Sequence, residues 1–397
     1  MKQLLQDLSN GKTIIADGPS PVVTENSIII ETVVNLISSG TERSIVDFGR
    51  SSLIDKALKQ PDRVKQVFEK INNDGLFSAV DSVTSKLNQP IPLGYSNVGV
   101  VKEVGSKVKG FLPGERVLSN GFHADIVRVP KNLCVKIPDN VSDDSAVFGV
   151  VGSIALQGVR LANPQIGETA VVIGAGLVGL LTVQVLIANG CSVIAIDFDE
   201  AKLKIAQSYG ASIINANNSK DVVSDVLACN SNGADLVVIT ASTKSSDPVS
   251  QAARMSRKRG RIILTGVTGL ELNRAEFYEK ELSFQVSCSY GPGRYDNSYE
   301  VDGIDYPYGF VRWTENRNME AILNLIKDGK LQTEKLIDKR FNFDQASKAY
   351  AHLLSAESSL GILLDHDASS LHKQADTFKL ITKEKHKQQE GNFCVSF

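Results

Sequence analysis

The amino-acid sequence predicts an α/β protein with two domains, a partly open β-barrel and a doubly wound parallel sheet. Residues 170–197 follow the order strand, glycine-rich turn, helix and strand that opens a βαβ unit. Strands and helices continue to alternate after residue 197, which is typical of a parallel sheet covered by helices on both faces. Residues before about 145 instead carry short, closely spaced strands separated by glycine turns, which is typical of an antiparallel barrel.

The turn between the first strand of the βαβ unit and its helix, residues 174–179 (GAGLVG), has three glycines with separate roles. In such a turn the first glycine permits a tight bend, the second lets a pyrophosphate approach the backbone, and the third brings the helix close to the strand. The unpaired N–H groups at the start of the helix face the phosphates. The turn therefore predicts a dinucleotide site with the contacts Gly174, Gly176, Leu177, Val178 and Gly179.

An acidic residue at the end of the second strand indicates which dinucleotide is bound. Asp197 follows the turn by about 20 residues, the spacing of the acid that accepts hydrogen bonds from the adenine ribose. A carboxylate there favours a 2′-hydroxyl and repels a 2′-phosphate, so NAD is favoured over NADP, a preference that Lys202 is placed to soften. Further candidate cofactor contacts are Ser153, Thr240 and Gly266.

Composition excludes several classes of partner. The 397 residues are 42% hydrophobic and 22% charged, with a formal net charge of −2, and lysine and arginine are scattered. The basic patch that nucleic acids require is therefore missing, and we expect neither a nucleic acid nor a membrane as partner. The N-terminus lacks the continuous apolar region of a signal peptide, which predicts a cytoplasmic protein.

The first domain is predicted to span residues 1–145 and to consist of short strands. Apolar residues recur at helical spacing at about 45–90, which predicts a helical insertion. This insertion is either a packed elaboration or a lid over the substrate. An apolar helix at 143–163 leads into the second domain. The predicted strand regions are 27–34, 92–105, 111–117 and 122–129.

The second domain is predicted at residues 146–295, where six strands are interleaved with helices. This pattern builds a doubly wound parallel sheet with its ligand at the carboxyl ends of the strands. Residues 296–365, with a helix at 315–327, are expected to return to the first domain, and residues 366–397 to form a polar tail or linker. The predicted strands are 170–173, 192–196, 212–215, 236–240, 261–265 and 282–288, with helices at 200–209, 219–229 and 248–256.

Several motifs resemble the medium-chain dehydrogenase/reductase superfamily over about residues 20–365. Residues 105–117 (GSKVKGFLPGERV) and 171–179 (VVIGAGLVG) stand where that superfamily has them, and the resemblance implies a GroES-like barrel beside a Rossmann domain. Residues 38–44 (SSGTERS) and 287–296 (SCSYGPGRYD) resemble the dehydrogenase half of bi-domain oxidoreductases of bacterial surface-polysaccharide biosynthesis. Those relatives continue into a Gfo/Idh/MocA-type dehydrogenase domain that is missing here, so a separate partner of that type is a hypothesis.

The zinc-binding motifs of the superfamily are altered in this chain. Its Cys-Gly-Thr-Asp motif corresponds to residues 39–42 (SGTE) and its Gly-His-Glu motif to residues 94–96 (GYS), so the thiolate and the imidazole are gone. The third ligand would fall near Gly149, which has no side chain, whereas catalytic zinc needs three protein ligands. The five cysteines include no CxxC pair. We therefore expect a zinc-free enzyme without a metal site.

Without a Lewis acid, hydride transfer at a carbinol carbon needs hydrogen-bond donors for the developing alkoxide. Thr41 matches the superfamily's proton-relay hydroxyl and Tyr95 occupies a vacated ligand position, so both are catalytic candidates, unless they only fill space. Glu42 either orients Thr41 or forms an ion pair with Arg43. His123 is an acid–base candidate, or else a surface or packed residue.

A glycine-rich segment after the sixth strand supplies candidate substrate contacts. Tyr290, Arg294 and Tyr295 lie where the cleft between the domains is expected to close. Aromatic rings with one guanidinium suit a sugar or an anionic substrate group. An interdomain hinge is the alternative function of this segment.

These features predict a zinc-independent, NAD(P)-dependent oxidoreductase that acts on an alcohol or ketone. The expected substrate is a small sugar-derived molecule of polysaccharide biosynthesis. The alternatives are a bacteriochlorophyllide-type hydroxyethyl dehydrogenase, which the same branch resembles, and a non-catalytic NAD-binding subunit or redox sensor. The sixth strand would leave an apolar edge unpaired, so we expect a homodimer joined through that edge.

Overall fold

The computed structural model describes residues 1–7, 12–40, 42–43, 46, 90–355 and 359–367. Thr41, nearly all of the helical insertion predicted at about 45–90, and the tail after residue 367 lie outside the described residues. Two large sheets organise the described part of the chain, and one small sheet lies beside the first of them.

The strands before residue 145 are antiparallel, as short alternating segments separated by glycine turns predict. The longest of them, β3, pairs with both β5 and β7, while β1 lies between β2 and β4 in the small sheet. The GroES-like part of the predicted fold is confirmed. The strands are β1 Lys2–Gln6, β2 Thr13–Asp17, β3 Ser27–Ser38, β4 Ile91–Pro92, β5 Asn97–Val104, β6 Arg116–Ser119, β7 Ile126–Pro130 and β8 Cys134–Lys136.

Two strands in this region begin later than the sequence predicts. The strand predicted at 122–129 is β7, which starts at Ile126 because the backbone of residues 123–125 bonds to β1 instead. The prediction placed a strand at 111–117, but β6 starts at Arg116 because residues 112–115 form a turn with Gly114 at φ 91°. The Gly114 N–H donates to the Val101 carbonyl in this turn. A proline and a glycine side by side favour such a turn over a continued strand.

The helix predicted at 143–163 is divided into α1, Asp143–Ala146, and α2, Gly149–Ala162. Helix α2 is buried along most of its length and ends at Asn163, which adopts the left-handed conformation at φ 47°. It connects the first sheet to the second.

The second large sheet has six parallel strands in the order β11-β10-β9-β12-β13-β14, which confirms the doubly wound Rossmann fold. Strand β12 is almost entirely apolar because helices cover both faces of the sheet. Its elements are β9 Thr169–Ile173, α3 Leu177–Ala188, β10 Ser192–Asp197, α4 Glu200–Ser208, β11 Ser212–Asn215, α5 Val222–Cys229, β12 Ala234–Ile239, α6 Asp247–Met255, β13 Ser256–Leu264, α7 Arg274–Tyr278 and β14 Ser283–Val286.

The chain after β14 returns to the sheet that contains β3. Strand β16 lies antiparallel to β3, and β15 extends the sheet on the far side of β16. His366, where the tail was predicted to begin, still has a side chain that is only 1% exposed, and its backbone N–H donates to the Val33 carbonyl. The elements are α8 Asn297–Glu300, α9 Glu315–Lys327, β15 Ile337–Asn342, α10 Ala346–Leu354 and β16 Gly361–Asp365.

The division into domains at about residues 145, 295 and 365 stays a prediction. Among the helices of the described residues, none combines the length and the apolar character that crossing a membrane requires.

Candidate active site

The glycine turn follows β9 at the carboxyl edge of the parallel sheet, where the strand order reverses. Gly174 has φ 101°, a conformation that L-residues with side chains rarely adopt. A Cβ on Gly179 would lie 1.9 Å from the Gly174 carbonyl oxygen. A Cβ on Gly176 would meet no atom of the described residues within 4 Å. The fold therefore requires the first and third glycines, whereas the space at the second is left open.

Helix α3 begins immediately after this open position. Its N-cap is Gly176, and no side chain caps the helix there. The first backbone N–H groups of a helix have no partner within the helix and carry the positive end of its dipole. The predicted contacts Leu177, Val178 and Gly179 are therefore placed to bind a pyrophosphate through their N–H groups.

Asp197, at the end of β10, is held against the turn by two backbone hydrogen bonds. Ala175 N–H donates to its Oδ2 at 2.6 Å, and Asp199 N–H donates to its Oδ1 at 2.9 Å. The Lys202 Nζ lies 3.8 Å from Asp199 Oδ2. The adjacent Phe198, which sequence reasoning missed, is 69% exposed beside this acid.

The three further cofactor candidates form internal contacts in this structure. Thr240 Oγ1 donates to the Gly174 carbonyl at 2.6 Å and thereby supports the turn. A Cβ on Gly266 would lie 2.2 Å from the Ala241 carbonyl oxygen, so the backbone passes closely there. Ser153 is fully buried and its Oγ donates to the Val150 carbonyl at 2.6 Å.

The residues at the superfamily's zinc positions do not fit a zinc ion. Gly149 offers no donor, and a Cβ there would lie 2.3 Å from Leu118 Cδ2, so a leucine methyl fills the space. Ser96 is fully buried and donates to the Val147 carbonyl at 2.5 Å. Ser39 and the half-buried Tyr95 supply a hydroxyl and a phenol where zinc prefers a thiolate and an imidazole. Nor do the described residues contain three His, Cys, Asp or Glu grouped for a metal.

A buried polar cluster of Glu42, His123 and Tyr350 lies behind these positions. Glu42 accepts hydrogen bonds from Ser38 N–H at 3.1 Å and from the Tyr350 hydroxyl, and His123 Nε2 lies 3.1 Å from its Oε2. All three side chains are essentially excluded from solvent. Burial, followed by the Glu42 charge, raises the pKa of Tyr350 well above its usual value, and the nearby Tyr95 adds to this.

This cluster decides between alternatives that the sequence left open for Glu42 and His123. Glu42 does not pair with Arg43, whose guanidinium instead donates to the Leu354 and Ser355 carbonyls. His123 is not a surface residue, because its ring packs against Gly94, where a Cβ would lie 2.3 Å from Nδ1. His123 Nδ1 has no hydrogen-bond partner within the described residues.

Tyr350 is a residue that sequence reasoning missed. It lies in α10, 308 positions away from Glu42, and the neighbouring residues in the sequence do not indicate that its hydroxyl forms a buried hydrogen bond. The signal in the sequence was the helical spacing of Ala346, Ala349 and Leu353. This spacing indicates a buried helix face, and Tyr350 lies on that face.

In the predicted substrate segment, Tyr290 and Arg294 are already engaged in contacts with other residues of the chain. Tyr290 is 5% exposed, and Asn120 of the first domain donates to its hydroxyl at 3.4 Å. Arg294 forms a 2.5 Å ion pair with Glu300, so its charge is balanced within the chain. Tyr295 is 74% exposed, with the Arg294 Cζ 4.2 Å from its ring centroid.

Beside this segment, Glu315 at the start of α9 is fully buried, close to the carboxyl group of Glu300. Burial, followed by the charge of Glu300, raises the pKa of Glu315 to about 8. This carboxyl group is therefore mainly protonated at neutral pH.

Two family models match the chain. One, described as an alcohol dehydrogenase GroES-like domain, matches residues 69–139, and the other, described as a zinc-binding dehydrogenase, matches residues 178–301. The curated relative L-idonate 5-dehydrogenase of Vitis vinifera is 25% identical over 316 residues, which cover 70% of this chain and 79% of the relative.

Solved structures share the fold. Galactitol-1-phosphate dehydrogenase of Escherichia coli matches with a TM-score of 0.71 at 19% identity, covering 92% of this chain and 100% of the other. An alcohol dehydrogenase of E. coli CFT073, solved with NADH, matches with a TM-score of 0.69 at 20% identity, covering 92% and 99%. The two family models and the curated relative support an alcohol-dehydrogenase-like oxidoreductase, and the solved structures support its fold.

Proposed function

The matches support assignment of the chain to the medium-chain dehydrogenase/reductase superfamily, and from that premise we propose a zinc-independent dehydrogenase that interconverts an alcohol and a ketone. The proposed substrate is a small sugar-derived molecule, and the proposed setting is bacterial polysaccharide biosynthesis in the cytoplasm. The observation that carries the proposal is the replacement of the metal ligands by Ser39, Tyr95 and Gly149.

The family model over residues 178–301 is described as a zinc-binding dehydrogenase. The proposal of zinc independence therefore depends on which side chains this chain has at the zinc-ligand positions. A hydroxyl, a phenol and a glycine cannot supply the three strong ligands that catalytic zinc needs. The methyl group of Leu118 against Gly149 also favours packing over metal binding at the third position.

The cofactor site fits a dinucleotide. The turn at 174–179 and the first N–H groups of α3 would hold the pyrophosphate, and Asp197, already oriented by Ala175 N–H, would accept a ribose hydroxyl. Since the carboxylate repels a 2′-phosphate, we propose NAD in preference to NADP. The exposed ring of Phe198 is available to cover one face of the adenine.

A bound nicotinamide would supply the hydride donor or acceptor for the carbon that bears the substrate oxygen. The residues of the chain must then stabilise the substrate oxygen and exchange its proton. We assign both tasks to the hydroxyls of Thr41 and Tyr95, which would donate hydrogen bonds to the substrate oxygen and exchange its proton. Glu42 and His123 are buried behind Tyr95, so we assign them, with Tyr350, the role of positioning residues that hold the proton-bearing groups in place.

Tyr290, Arg294 and Tyr295 are the proposed substrate contacts. Tyr295 is the most accessible of them, and its ring offers the apolar face on which a sugar packs. Because Arg294 is paired with Glu300, its contribution is to orient Tyr295. A Gfo/Idh/MocA-type dehydrogenase as separate partner stays a hypothesis.

The test is single-turnover hydride transfer by Thr41→Val and Tyr95→Phe, with NADH consumption followed against a panel of keto sugars. Loss of one preorganised donor should slow transfer by about 10²-fold or more while NAD binding stays intact. Tyr278→Phe, which alters an exposed tyrosine on α7, serves as the control. Wild-type rates in both variants would contradict the assignment, and the absence of any turnover in the wild type would favour a non-catalytic NAD-binding subunit.

A further inference from the structure

Trp313, the single tryptophan of the chain, lies between two guanidinium groups. The Cζ of Arg160 is 3.3 Å from the centroid of its ring, and the Cζ of Arg312 is 3.7 Å from it. Two guanidinium groups at these distances would collide on one face, so they occupy opposite faces of the indole. Arg160, Trp313 and Arg312 are called the arginine–tryptophan stack below.

The stack is extended by a second aromatic ring on the outer side. The Arg312 Cζ is 4.6 Å from the ring centroid of Tyr308, which is 58% exposed. Each cation–π contact fixes the plane of a guanidinium and reduces the number of orientations that it samples. The two forks are therefore held in place before any ligand arrives.

The charges of these two guanidinium groups are not balanced by any carboxylate of the described residues. Within the described residues no carboxylate forms an ion pair with Arg160 or Arg312, and the hydrogen bond from Arg160 Nε to Asn318 Oδ1, 2.7 Å long, leaves its terminal nitrogens without a protein acceptor. The neighbouring arginines differ, since Arg294 pairs with Glu300 and Arg317 with Asp305. Burial, followed by the charge of Arg312, lowers the pKa of Arg160 to about 10.

We propose that the arginine–tryptophan stack is a binding site for a phosphate group of a small molecule. A guanidinium fork matches phosphate oxygens in geometry and charge, and its hydrogen bonds to phosphate are charge-assisted. A phosphate at the edge of the indole would accept hydrogen bonds from both forks. It would also remove the repulsion between two like charges that the fold holds close together.

The stack is connected to the segment that carries the proposed substrate contacts. Asn318, which accepts from Arg160, donates through Nδ2 to the Tyr290 carbonyl at 2.9 Å. The phosphate is therefore carried by the substrate itself or by a separate ligand that acts on the same segment. Only the first of these two sources rests on the proposed function.

The first experiment is a titration of the full-length protein with inorganic phosphate and with pyrophosphate at constant ionic strength, followed by the fluorescence of Trp313. The wild type should show a saturable change that chloride does not reproduce. Arg160→Gln and Arg312→Gln should each bind at least about tenfold more weakly, because each loses charge-assisted hydrogen bonds. Arg274→Gln should bind like the wild type, since Arg274 stacks on Tyr278 elsewhere, with a Cζ–centroid distance of 4.1 Å.

No saturable change in the wild type, or equal affinity in the Arg312→Gln variant, would overturn the proposal. Arg312 is exposed, so Arg312→Gln is expected to fold, and its melting temperature checks this. The titration needs no turnover, so its result is independent of the proposed dehydrogenase activity.

The second experiment identifies the source of the phosphate once binding is established. If the substrate carries it, Arg312→Gln should raise KM for a phosphorylated sugar and leave KM for the unphosphorylated sugar unchanged. If a separate ligand carries it, inorganic phosphate should alter turnover of the unphosphorylated sugar without competing with it. If phosphate affects neither reaction, the stack has no link to the substrate segment.

Discussion

Among single residues, Glu42 shows most clearly how buried polar groups hold one another in place. Its carboxylate accepts hydrogen bonds from the Tyr350 hydroxyl and the Ser38 N–H, and it contacts the His123 ring. All of these contacts lie in the protein interior. A buried carboxylate that loses a donor carries a desolvation cost without compensation. The cluster is therefore expected to contribute to stability as well as to the position of Tyr95.

Tyr350→Phe tests this contribution. Removing the hydroxyl should lower the free energy of unfolding by about 1–3 kcal/mol, because Glu42 then lacks one of its donors. The measurement is denaturant unfolding. Tyr209→Phe is the matched control, since the Tyr209 hydroxyl is buried without a partner in the described residues, and its removal should be neutral or slightly stabilising. Equal effects of the two substitutions would show that Glu42 does not depend on Tyr350.

Glu315 predicts a pH dependence of stability. Its pKa is about 8 in the folded protein, compared with an ordinary value of 4.5 for the unfolded chain. Folding therefore takes up a proton at pH values between these two pKa values. The wild type should consequently lose stability as the pH rises through this window, by at most about 1.4 kcal/mol per unit. Glu315→Gln cannot ionise, so its stability advantage over the wild type should grow from pH 4.5 to about 8.

Thermal melts at several pH values measure this difference. Glu320→Gln, on the exposed side of the same helix, should follow the wild type throughout. A difference between Glu315→Gln and the wild type that does not change with pH would contradict a protonated Glu315.

At the scale of single residues, the sequence predicts chemistry best where partners are close along the chain. Asp197 was found from its spacing to the glycine turn, and Tyr95 from its motif. The partners of Glu42 were not predictable, because His123 and Tyr350 lie 81 and 308 positions away and meet it only in the folded core. Nor does the sequence around Glu315 show that its carboxyl group is buried.

At the scale of elements, the glycine turn separates the needs of folding from those of binding. A Cβ on Gly179 would lie closer to the Gly174 carbonyl oxygen than any side chain tolerates. A Cβ on Gly176 would meet no atom of the described residues. Gly179→Ala should therefore destabilise the protein by about 1–3 kcal/mol or more. Gly176→Ala should keep its stability within about 0.5 kcal/mol and bind NAD at least about tenfold more weakly.

Calorimetric titration with NAD, together with unfolding curves, measures both effects. A Gly176→Ala variant that binds NAD like the wild type would show that the pyrophosphate does not approach this position. A Gly179→Ala variant of normal stability would contradict the close approach of α3 to the turn.

The elements themselves were largely predictable from local patterns. Helix α9 occupies the predicted residues 315–327, and the six parallel strands lie within a few residues of their predicted positions. The break between α1 and α2 was missed, because a short interruption of a helix leaves the spacing of its apolar residues intact. The late start of β6 was missed, because the apolar residues on both sides of the turn at Pro113 also fit a continuous strand. The β1–β2–β4 sheet depends on long-range pairing that periodicity does not reveal.

At the scale of the whole molecule, the open edge of the parallel sheet predicts assembly. Among the described residues, strand β14 pairs only with β13, and Val286 on it is 54% exposed. Unpaired apolar edges tend to pair with another chain. We expect a dimer at micromolar concentration in light scattering, and Val286→Lys should shift it towards the monomer. Val22→Lys, which alters a 75% exposed valine of the first domain, is the control, and a monomeric wild type would refute the idea.

Hydride transfer without zinc is the central claim for the molecule as a whole. The measurement that tests it most directly is single-turnover transfer from NADH after treatment with a zinc chelator, with the zinc content of the same sample determined. The donors present at Ser39, Tyr95 and Gly149 predict an unchanged rate in protein that holds far less than one zinc per chain. A rate that is lost on chelation and restored by added Zn²⁺ would contradict the account.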